Sequence, residues 1–309
     1  METDRSKIIA CVTGASGMIG RRIVQRLLSN GYKVRVLSRQ GKYCDSRVEL
    51  FTGGLENEDV LERFISTAHL LFHCAAELHN ESKMWDVNVV GTERLLRLAK
   101  KSGIKFFCHL SSAGVVGRTN VLTVDENTEC NPQNMYERSK YAAEKCVLDE
   151  MNMCEVVILR PTNVISIERP GILAAMISDS FIDRIKCIIK SSECTHIVHA
   201  DDVAAAACYL INHFSGSPQC YYVSCDYDRM NTYAQVYEMA RSMTEENRRH
   251  LNYARVHIPA LIPRIMRRML GGNANSGLVR FSSDKLLATG FRYECGLRGA
   301  VERVVEGTR

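Results

Sequence analysis

Residues 13–20 read Thr13-Gly14-Ala15-Ser16-Gly17-Met18-Ile19-Gly20, directly after the apolar run Lys7-Ile8-Ile9-Ala10-Cys11-Val12. Together they predict a strand that enters a glycine-rich turn, which in turn opens a helix at Arg21-Arg22-Ile23-Val24-Gln25-Arg26-Leu27-Leu28. Glycine permits a sharp turn and lets a ligand approach the backbone with no Cβ in between. The unpaired N–H groups of a first helical turn, at the positive end of the helix dipole, favour an anion there. A pyrophosphate meets those conditions. A tight turn with no ligand also fits, because a lone glycine motif has little specificity. The rest of the chain decides between the two.

Outward from this turn, strand and helix signals alternate. Lys33 to Ser38 is β-rich and follows the helix stop Asn30-Gly31. Val48 to Thr52 reads as a third strand, followed by a helix around Glu58–Thr67. The run His69-Leu70-Leu71-Phe72-His73-Cys74 is a fourth strand. A helix from about Met84 to Ser102 stops at Gly103, and Lys105 to Leu110 and Val156 to Pro161 give two more strands. Nearly continuous apolar strands separated by helices predict an α/β fold, a Rossmann-type doubly wound parallel sheet covered on both faces. After Pro161 the alternation is less clean. Ile197 to Asn212 reads as a strand end plus an alanine-rich helix, and Gln219 to Ser224 as a further core strand. The expected division is residues 1–162 plus 196–228 as the Rossmann domain. Residues 163–195 plus 229–309 then make a smaller, discontinuous C-terminal substrate domain.

The chain has 309 residues, 46% of them hydrophobic, ample for a core. A net charge of +5, with both signs interspersed, offers no nucleic-acid stripe but suits an anionic ligand. The closest pair among the 13 cysteines, Cys220 and Cys225, is five apart, so no Cys-x-x-Cys exists. Cys11, Cys74, Cys108 and Cys208 sit in apolar runs, as small core hydrophobes do. These features argue against a metal site or a disulfide framework and for a reducing, cytoplasmic setting. The N-terminal residues carry no signal-peptide core, and no apolar stretch is long enough to span a bilayer.

The chemistry-bearing residues lie at strand ends and on one helix. The fifth strand ends in Leu110-Ser111-Ser112-Ala113-Gly114. Hydroxyls just past the carboxyl end of a parallel strand lie where open α/β sheets bind ligands. Tyr136 and Lys140 are four apart on a predicted helix, Met135 to Met151, and so share a face. A free tyrosine, with a pKa of about 10, is a poor base at neutral pH. A lysine ammonium and an oxidised nicotinamide ring nearby would stabilise its phenolate. A surface helix pair is the alternative for Tyr136 and Lys140 alone. The glycine turn and the hydroxyl-bearing strand end in the same chain favour the catalytic reading.

Six motifs now stand in order: Thr13-Gly14-x-x-Gly17-x-x-Gly20, Asn88-Val89-x-Gly91-Thr92, Ser111-Ser112-x-x-Val115-x-Gly117, Tyr136-x-x-x-Lys140, Arg160-Pro161-x-Asn163-Val164 and Val198-His199-x-Asp201-Asp202-Val203. In this the chain resembles the extended short-chain dehydrogenases/reductases, in their NAD(P)-dependent epimerase/dehydratase branch of nucleotide-sugar enzymes. The resemblance runs from Ile8 to about Leu210 and thins beyond. It implies that Gly14, Ser16, Gly17, Met18, Ile19 and Gly20 cradle the cofactor pyrophosphate. Leu55 lies against the adenine, and Cys74, Ala75, Ala76 and Pro161 line the cofactor. Asn88 orders the active-site wall and counts with the cofactor-binding set. Tyr136 is the acid/base, Lys140 binds the nicotinamide ribose, and Ser112 holds the reacting oxygen. Asn163 touches the substrate, and His199 and Asp202 tie the two domains together. The family usually has an acidic residue where Gly54 stands.

NAD-preferring relatives carry an acid at the end of the second strand, which here reads Val36-Leu37-Ser38-Arg39-Gln40. A carboxylate repels a 2′-phosphate, whereas the Ser38 hydroxyl and the Arg39 guanidinium bind one. The expectation is NADP(H) favoured over NAD(H), with Arg21 assisting. An Arg39 stacked on adenine would leave either cofactor acceptable.

The resemblance implies hydride transfer on a nucleotide-activated sugar, as a 4-ketoreductase or a 4-epimerase. Dehydratases of the branch carry Asp-Glu after the fifth-strand serine or threonine. Ala113-Gly114 stands there, which disfavours dehydration. A reductase or dehydrogenase of a non-sugar carbonyl or hydroxysteroid is the alternative. So is a catalytically silent dinucleotide-binding regulator, although such proteins usually lose the tyrosine or the lysine. The segment Ile258 to Leu270, with Arg264, Arg267 and Arg268, reads as a core-facing helix, a diphosphate site or a membrane-surface helix. The helices bearing Tyr136 and Met84 form a dimer interface in many relatives, so the resemblance also implies a homodimer.

Overall fold

The computed structural model describes residues 4–150, 154–178, 180–213, 216, 218–243 and 277–308. The segment bearing Arg264, Arg267 and Arg268 lies outside the described residues. In chain order the strands are β1 Ile9–Thr13, β2 Lys33–Ser38, β3 Glu49–Thr52, β4 Leu70–His73, β5 Phe106–Leu110, β6 Thr123–Val124, β7 Glu155–Pro161, β8 Asn163–Ile165, β9 Ile197–His199, β10 Gln219–Val223 and β11 Arg280–Phe281. Seven of them form one sheet in the order β10-β7-β5-β4-β1-β2-β3. Every neighbouring pair in it is parallel.

Burial on both faces explains the apolar strands. Alternate residues of each strand feed opposite cores. Ala10, Val12, Phe106, Cys108, Val157 and Leu159 enter one core with helices α1 (Gly20–Ser29) and α6 (Ala200–Tyr209). Cys11, Leu71, Phe107, Val156 and Ile158 enter the other, with α2 (Glu58–Ile65), α4 (Gly91–Ser102) and α5 (Met135–Glu150). The order reverses at β1: β2 lies on one side and β4 on the other, with Thr13 level with His73. A crevice opens outside the carboxyl ends of strands at such a reversal.

The expected helix Met84–Ser102 is three pieces. The chain runs as α3 (Glu81–Trp85), a π-helical turn Asp86–Val90, and then α4. A π turn interrupts the 3.6-residue period on which the sequence reading rests, and such turns concentrate at functional sites. Gly91, which follows it, admits Leu55: a Cβ there would lie 2.9 Å from Leu55 Cδ1.

Two small sheets adjoin the main one, β8 with β9 and β6 with β11. His199 caps α6 by accepting from Asp201 N at 3.2 Å. Asp202 accepts from the amides of Glu294, Cys295 and Gly296 at 2.8, 2.9 and 3.1 Å, where the final helix Gly296–Gly307 begins.

Candidate functional site

A cleft of about 1120 Å³ runs along the carboxyl ends of β1, β2, β4, β5 and β7. Ordinary small-molecule pockets hold roughly 300–1,000 Å³, so a dinucleotide and a second ligand fit side by side.

The glycine turn forms its floor. Gly14 has φ +65°, and a Cβ on it would sit 2.6 Å from Ala75 N and from Cys74 C. A Cβ on Gly20 would overlap the Gly14 carbonyl oxygen. The turn closes through Gly17 N, which donates to Gly14 O at 2.9 Å. Ile19, at the helix N-cap, supplies no side-chain cap; Arg21 N and Arg22 N turn back on Gly17 O and Ile19 O at 3.1 and 3.0 Å, so an anion here meets the helix dipole and the amides of the turn that precede them. This cradle, which any side chain would fill, fits a pyrophosphate.

At the other end of the cleft stand Ser112, Tyr136 and Lys140. Helical spacing puts Tyr136 and Lys140 on the face of α5 turned towards the sheet. Lys140 is buried, and its Nζ donates to the Leu110 carbonyl at 2.5 Å. Burial lowers its pKa to about 8, against the opposing pull of the Glu144 carboxylate. Burial also pushes the Tyr136 phenol up. A hydrogen bond with Ser112 and the nearby charge of Arg169 pull it back. Ser112 Oγ accepts from Gly114 N at 3.1 Å, which aims the hydroxyl at the head of its 3-10 turn.

A hydrogen-bond relay stiffens the wall between these ends. Thr13 Oγ1 lies 2.7 Å from His73 Nδ1, and His73 Nε2 lies 2.9 Å from Thr92 Oγ1. Thr92 donates its own proton to Asn88 O at 2.6 Å, so it accepts from His73. Nε2 therefore carries the proton and Nδ1 accepts from Thr13, which itself accepts from Ala75 N at 3.2 Å. Burial lowers the His73 pKa to about 3, with the Lys140 charge acting in the same direction.

Asn88 stands behind the cleft rather than in its lining. Its Oδ1 accepts from Glu77 N at 2.7 Å, and its Nδ2 donates to Glu77 O and to Ser139 Oγ, both at 3.0 Å. It thereby clamps the 77–80 loop to α5.

The far end of the cleft is lined by Ser38, Arg39, Gly54, Leu55 and Glu56. Ser38 Oγ donates to Lys42 O at 3.1 Å. Arg39 makes no side-chain hydrogen bond or ion pair with a described residue. Its charge reaches Glu77, whose carboxylate is held low by the amides of His79 and Asn80 and then by Arg39. Arg21 pairs with Glu168 instead of facing Arg39. Glu56 folds back over Gly54: its Cδ lies 2.6 Å from where a Gly54 Cβ would be.

Of the residues singled out from the sequence, the cleft gathers Gly14, Ser16, Gly17, Met18, Ile19, Gly20, Ser38, Arg39, Leu55, Cys74, Ala75, Ala76, Ser112, Tyr136, Lys140, Pro161 and Asn163. The Asn163 amide donates to Thr195 O at 2.9 Å, which leaves its oxygen for a ligand. Glu56 and Arg169 also line the cleft, and sequence reasoning missed both.

The model of the NAD dependent epimerase/dehydratase family matches residues 10–223. Among curated proteins, sterol-4-alpha-carboxylate 3-dehydrogenase, decarboxylating, of Mus musculus is 28% identical over 206 residues, 62% of this chain and 56% of that protein. Dihydroflavonol 4-reductase of Gerbera hybrida is 25% identical across 100% of this chain and 88% of its own. The chain spans little more than half the length of several curated relatives it matches. Among solved structures, the UDP-glucose 4-epimerase of Thermotoga maritima with UDP-glucose superposes with a TM-score of 0.71 at 19% identity, covering 97% of this chain and 98% of that one.

Proposed function

The chain belongs to the NAD dependent epimerase/dehydratase family, and on that premise we propose an oxidoreductase that interconverts a secondary alcohol and its ketone. The observation that carries this reading is one cleft holding the glycine cradle at one side and Ser112, Tyr136 and Lys140 at the other. The nicotinamide, when bound, supplies the hydride acceptor or donor. The chain's own groups handle the proton and the geometry. Tyr136 takes the proton of the substrate hydroxyl, or returns it to the ketone oxygen. Ser112 shares that oxygen and holds it against the phenol. Lys140, held by Leu110 O, shares a face of α5 with Tyr136, and its role in this reading is to bind the nicotinamide ribose and favour the phenolate.

A nucleotide-activated sugar is the first substrate class to test, as ketoreductase or epimerase. The chain-long match to a dihydroflavonol 4-reductase makes a non-sugar ketone the second. The cofactor reading is NADP(H) before NAD(H), on Arg39.

The deciding experiment is turnover of nucleotide sugars and of aromatic and alicyclic ketones, with and without added NADPH, by wild type and Tyr136→Phe. Turnover that Tyr136→Phe abolishes while cofactor affinity stays intact bears the reading out. Equal turnover by both proteins overturns it.

A further inference from the structure

We propose that Cys194, His196 and Asp226 form a binding site for one zinc ion, outside the cleft and independent of the alcohol–ketone reading above.

The three side chains each bring one ligand atom, and these atoms all lie within 4.8 Å of one another. His196 Nδ1 is 2.6 Å from Asp226 Oδ2. Cys194 and Asp226 are buried, while the His196 side chain keeps 20% of its surface exposed, which gives an ion its way in. Zinc bonds sulfur at about 2.3 Å, and nitrogen and oxygen at about 2.0–2.2 Å, so its tetrahedral ligand atoms stand roughly 3.3–3.6 Å apart. Side-chain shifts of about 1 Å therefore suffice to close on the ion. Spacing along the chain argues against a metal site, but the fold supplies the carboxylate from 30 residues beyond His196.

The donor set selects the metal. A thiolate and an imidazole suit zinc, whereas calcium and magnesium take oxygen ligands. Binding releases the Cys194 thiol proton to solvent and takes His196 as the neutral ring, with its proton on Nε2. The thiolate and the carboxylate then balance the two positive charges of the ion. The three side chains leave a fourth position to water.

The carboxylate is already aimed. Asn231 Nδ2 donates to Asp226 Oδ1 at 3.1 Å, and Phe281 N to Oδ2 at 2.9 Å. Thr195, between the other two ligands, donates to Asn231 Oδ1. Such outer partners fix the ligands and raise metal affinity. Arg280, on β11, donates to the Asp226 carbonyl at 2.8 Å, which leaves the carboxylate without a guanidinium partner among the described residues. A second group of similar type, His199, Asp201 and Cys295, differs on this point. There Asp201 already pairs with Arg22 at 2.6 Å and with Arg303, which neutralise it and repel a cation.

An ion at the first group ties the loop before β9 to the loop after β10. Asn163, which lines the cleft, rests on the same loop: its N donates to His196 O at 2.8 Å and its Nδ2 to Thr195 O at 2.9 Å.

The test is titration of reduced, chelator-treated protein with Zn²⁺ against a chromogenic competitor, and with Co²⁺ followed by absorbance. Wild type takes one equivalent of zinc from the competitor, and its Co²⁺ form shows a thiolate charge-transfer band in the near ultraviolet. Cys194→Ser abolishes that band. Asn231→Ala, which removes an outer partner only, weakens zinc about 10- to 100-fold, and Cys194→Ser and His196→Gln weaken it further. Zinc raises the Tm of wild type and not that of His196→Gln. Cys295→Ser changes none of these. Circular dichroism checks that each variant is folded. If Cys194→Ser does not fold, His196→Gln, at the exposed edge, decides alone. The inference is overturned if wild type takes up no zinc, or if folded His196→Gln takes it up as wild type does. Loss of uptake in Cys295→Ser overturns it as well, by moving the ion to the second group.

Discussion

The Glu144 carboxylate receives both Nε and Nη2 of Arg160, at 3.0 and 2.6 Å, between α5 and β7. Arg160 also donates to the Tyr222 hydroxyl at 3.2 Å, so the pair locks α5 to β7 and β10. Both partners are buried, and Glu144 lies one turn beyond Lys140 on the same helix face. Its charge is also what holds the Lys140 ammonium up against burial.

Breaking this pair has two consequences. Glu144→Gln leaves Arg160 charged and buried without a counter-charge, which costs about 3–5 kcal/mol. Urea unfolding measures that loss, and Glu144→Gln with Arg160→Met recovers most of it. The double variant, folded but without the carboxylate, has a Lys140 that titrates below the wild-type value of about 8. The alkaline limb of its cofactor binding then moves to lower pH. A limb that stays in place separates Glu144 from Lys140.

The His73 relay makes stability depend on mild acid. Thr13 donates to Nδ1 and Thr92 accepts from Nε2, the one sense that suits a neutral ring. The folded-state pKa of about 3 lies below the unfolded value of about 6.5. The unfolded chain therefore takes the proton first as pH falls. Stability is complete above about pH 6.5 and declines from there towards pH 3. Between pH 7.5 and 5.5, His73 alone accounts for a loss of about 1.4 kcal/mol. Unfolding free energies across that range give a shallower slope for His73→Gln by this amount. An unchanged slope means that the ring is not held neutral.

Glu56 stands where the sequence shows only Gly54. The folded-back carboxylate brings an acceptor to the end of the cleft that Leu55 lines. Adenine presents an exocyclic amine to such an acceptor. Glu56→Gln is expected to weaken NADP⁺ and adenosine 2′,5′-bisphosphate alike, by about 3- to 10-fold, the size of one ordinary hydrogen bond. Gly54→Ala gives the same result through displacement, because the new Cβ claims the space of the carboxylate. Unchanged affinity for the bisphosphate in both variants rules out the contact.

What the sequence revealed and what it hid follow from the range of the interactions. The glycine turn and the Tyr136–Lys140 pair are local, and their spacing states their geometry. The seven-strand sheet is legible because burial on both faces writes an apolar run into each inner strand. Asn88 is harder to read, because it sits on a π turn that no 3.6-residue period announces and its side chain reaches across to Glu77 and Ser139. Glu56 depends on a rotamer that turns back towards its own chain. The turn bearing Arg169 is tied down by Glu168, whose partner Arg22 is 146 residues away. The β6–β11 pairing, Thr123 with Arg280, is equally remote.

The cofactor preference now rests on one side chain. The Ser38 hydroxyl has a single proton, and it goes to Lys42 O, so Ser38 has none to offer a phosphate. Arg21 is held by Glu168. Arg39 remains, with no hydrogen bond or ion pair to a described residue and with Glu77 near enough to feel its charge. A 2′-phosphate at the end of β2 meets that guanidinium directly. Arg39→Ala is therefore expected to weaken NADP⁺ about 10- to 100-fold, as loss of a charged hydrogen bond does, and to leave NAD⁺ within about twofold. Added salt weakens NADP⁺ binding in wild type more than in the variant, because the contact is solvent-exposed. Titrating both dinucleotides into both proteins decides the matter. Tighter NAD⁺ binding that ignores Arg39→Ala would falsify the NADP(H) preference and leave Arg39 stacked on the adenine instead.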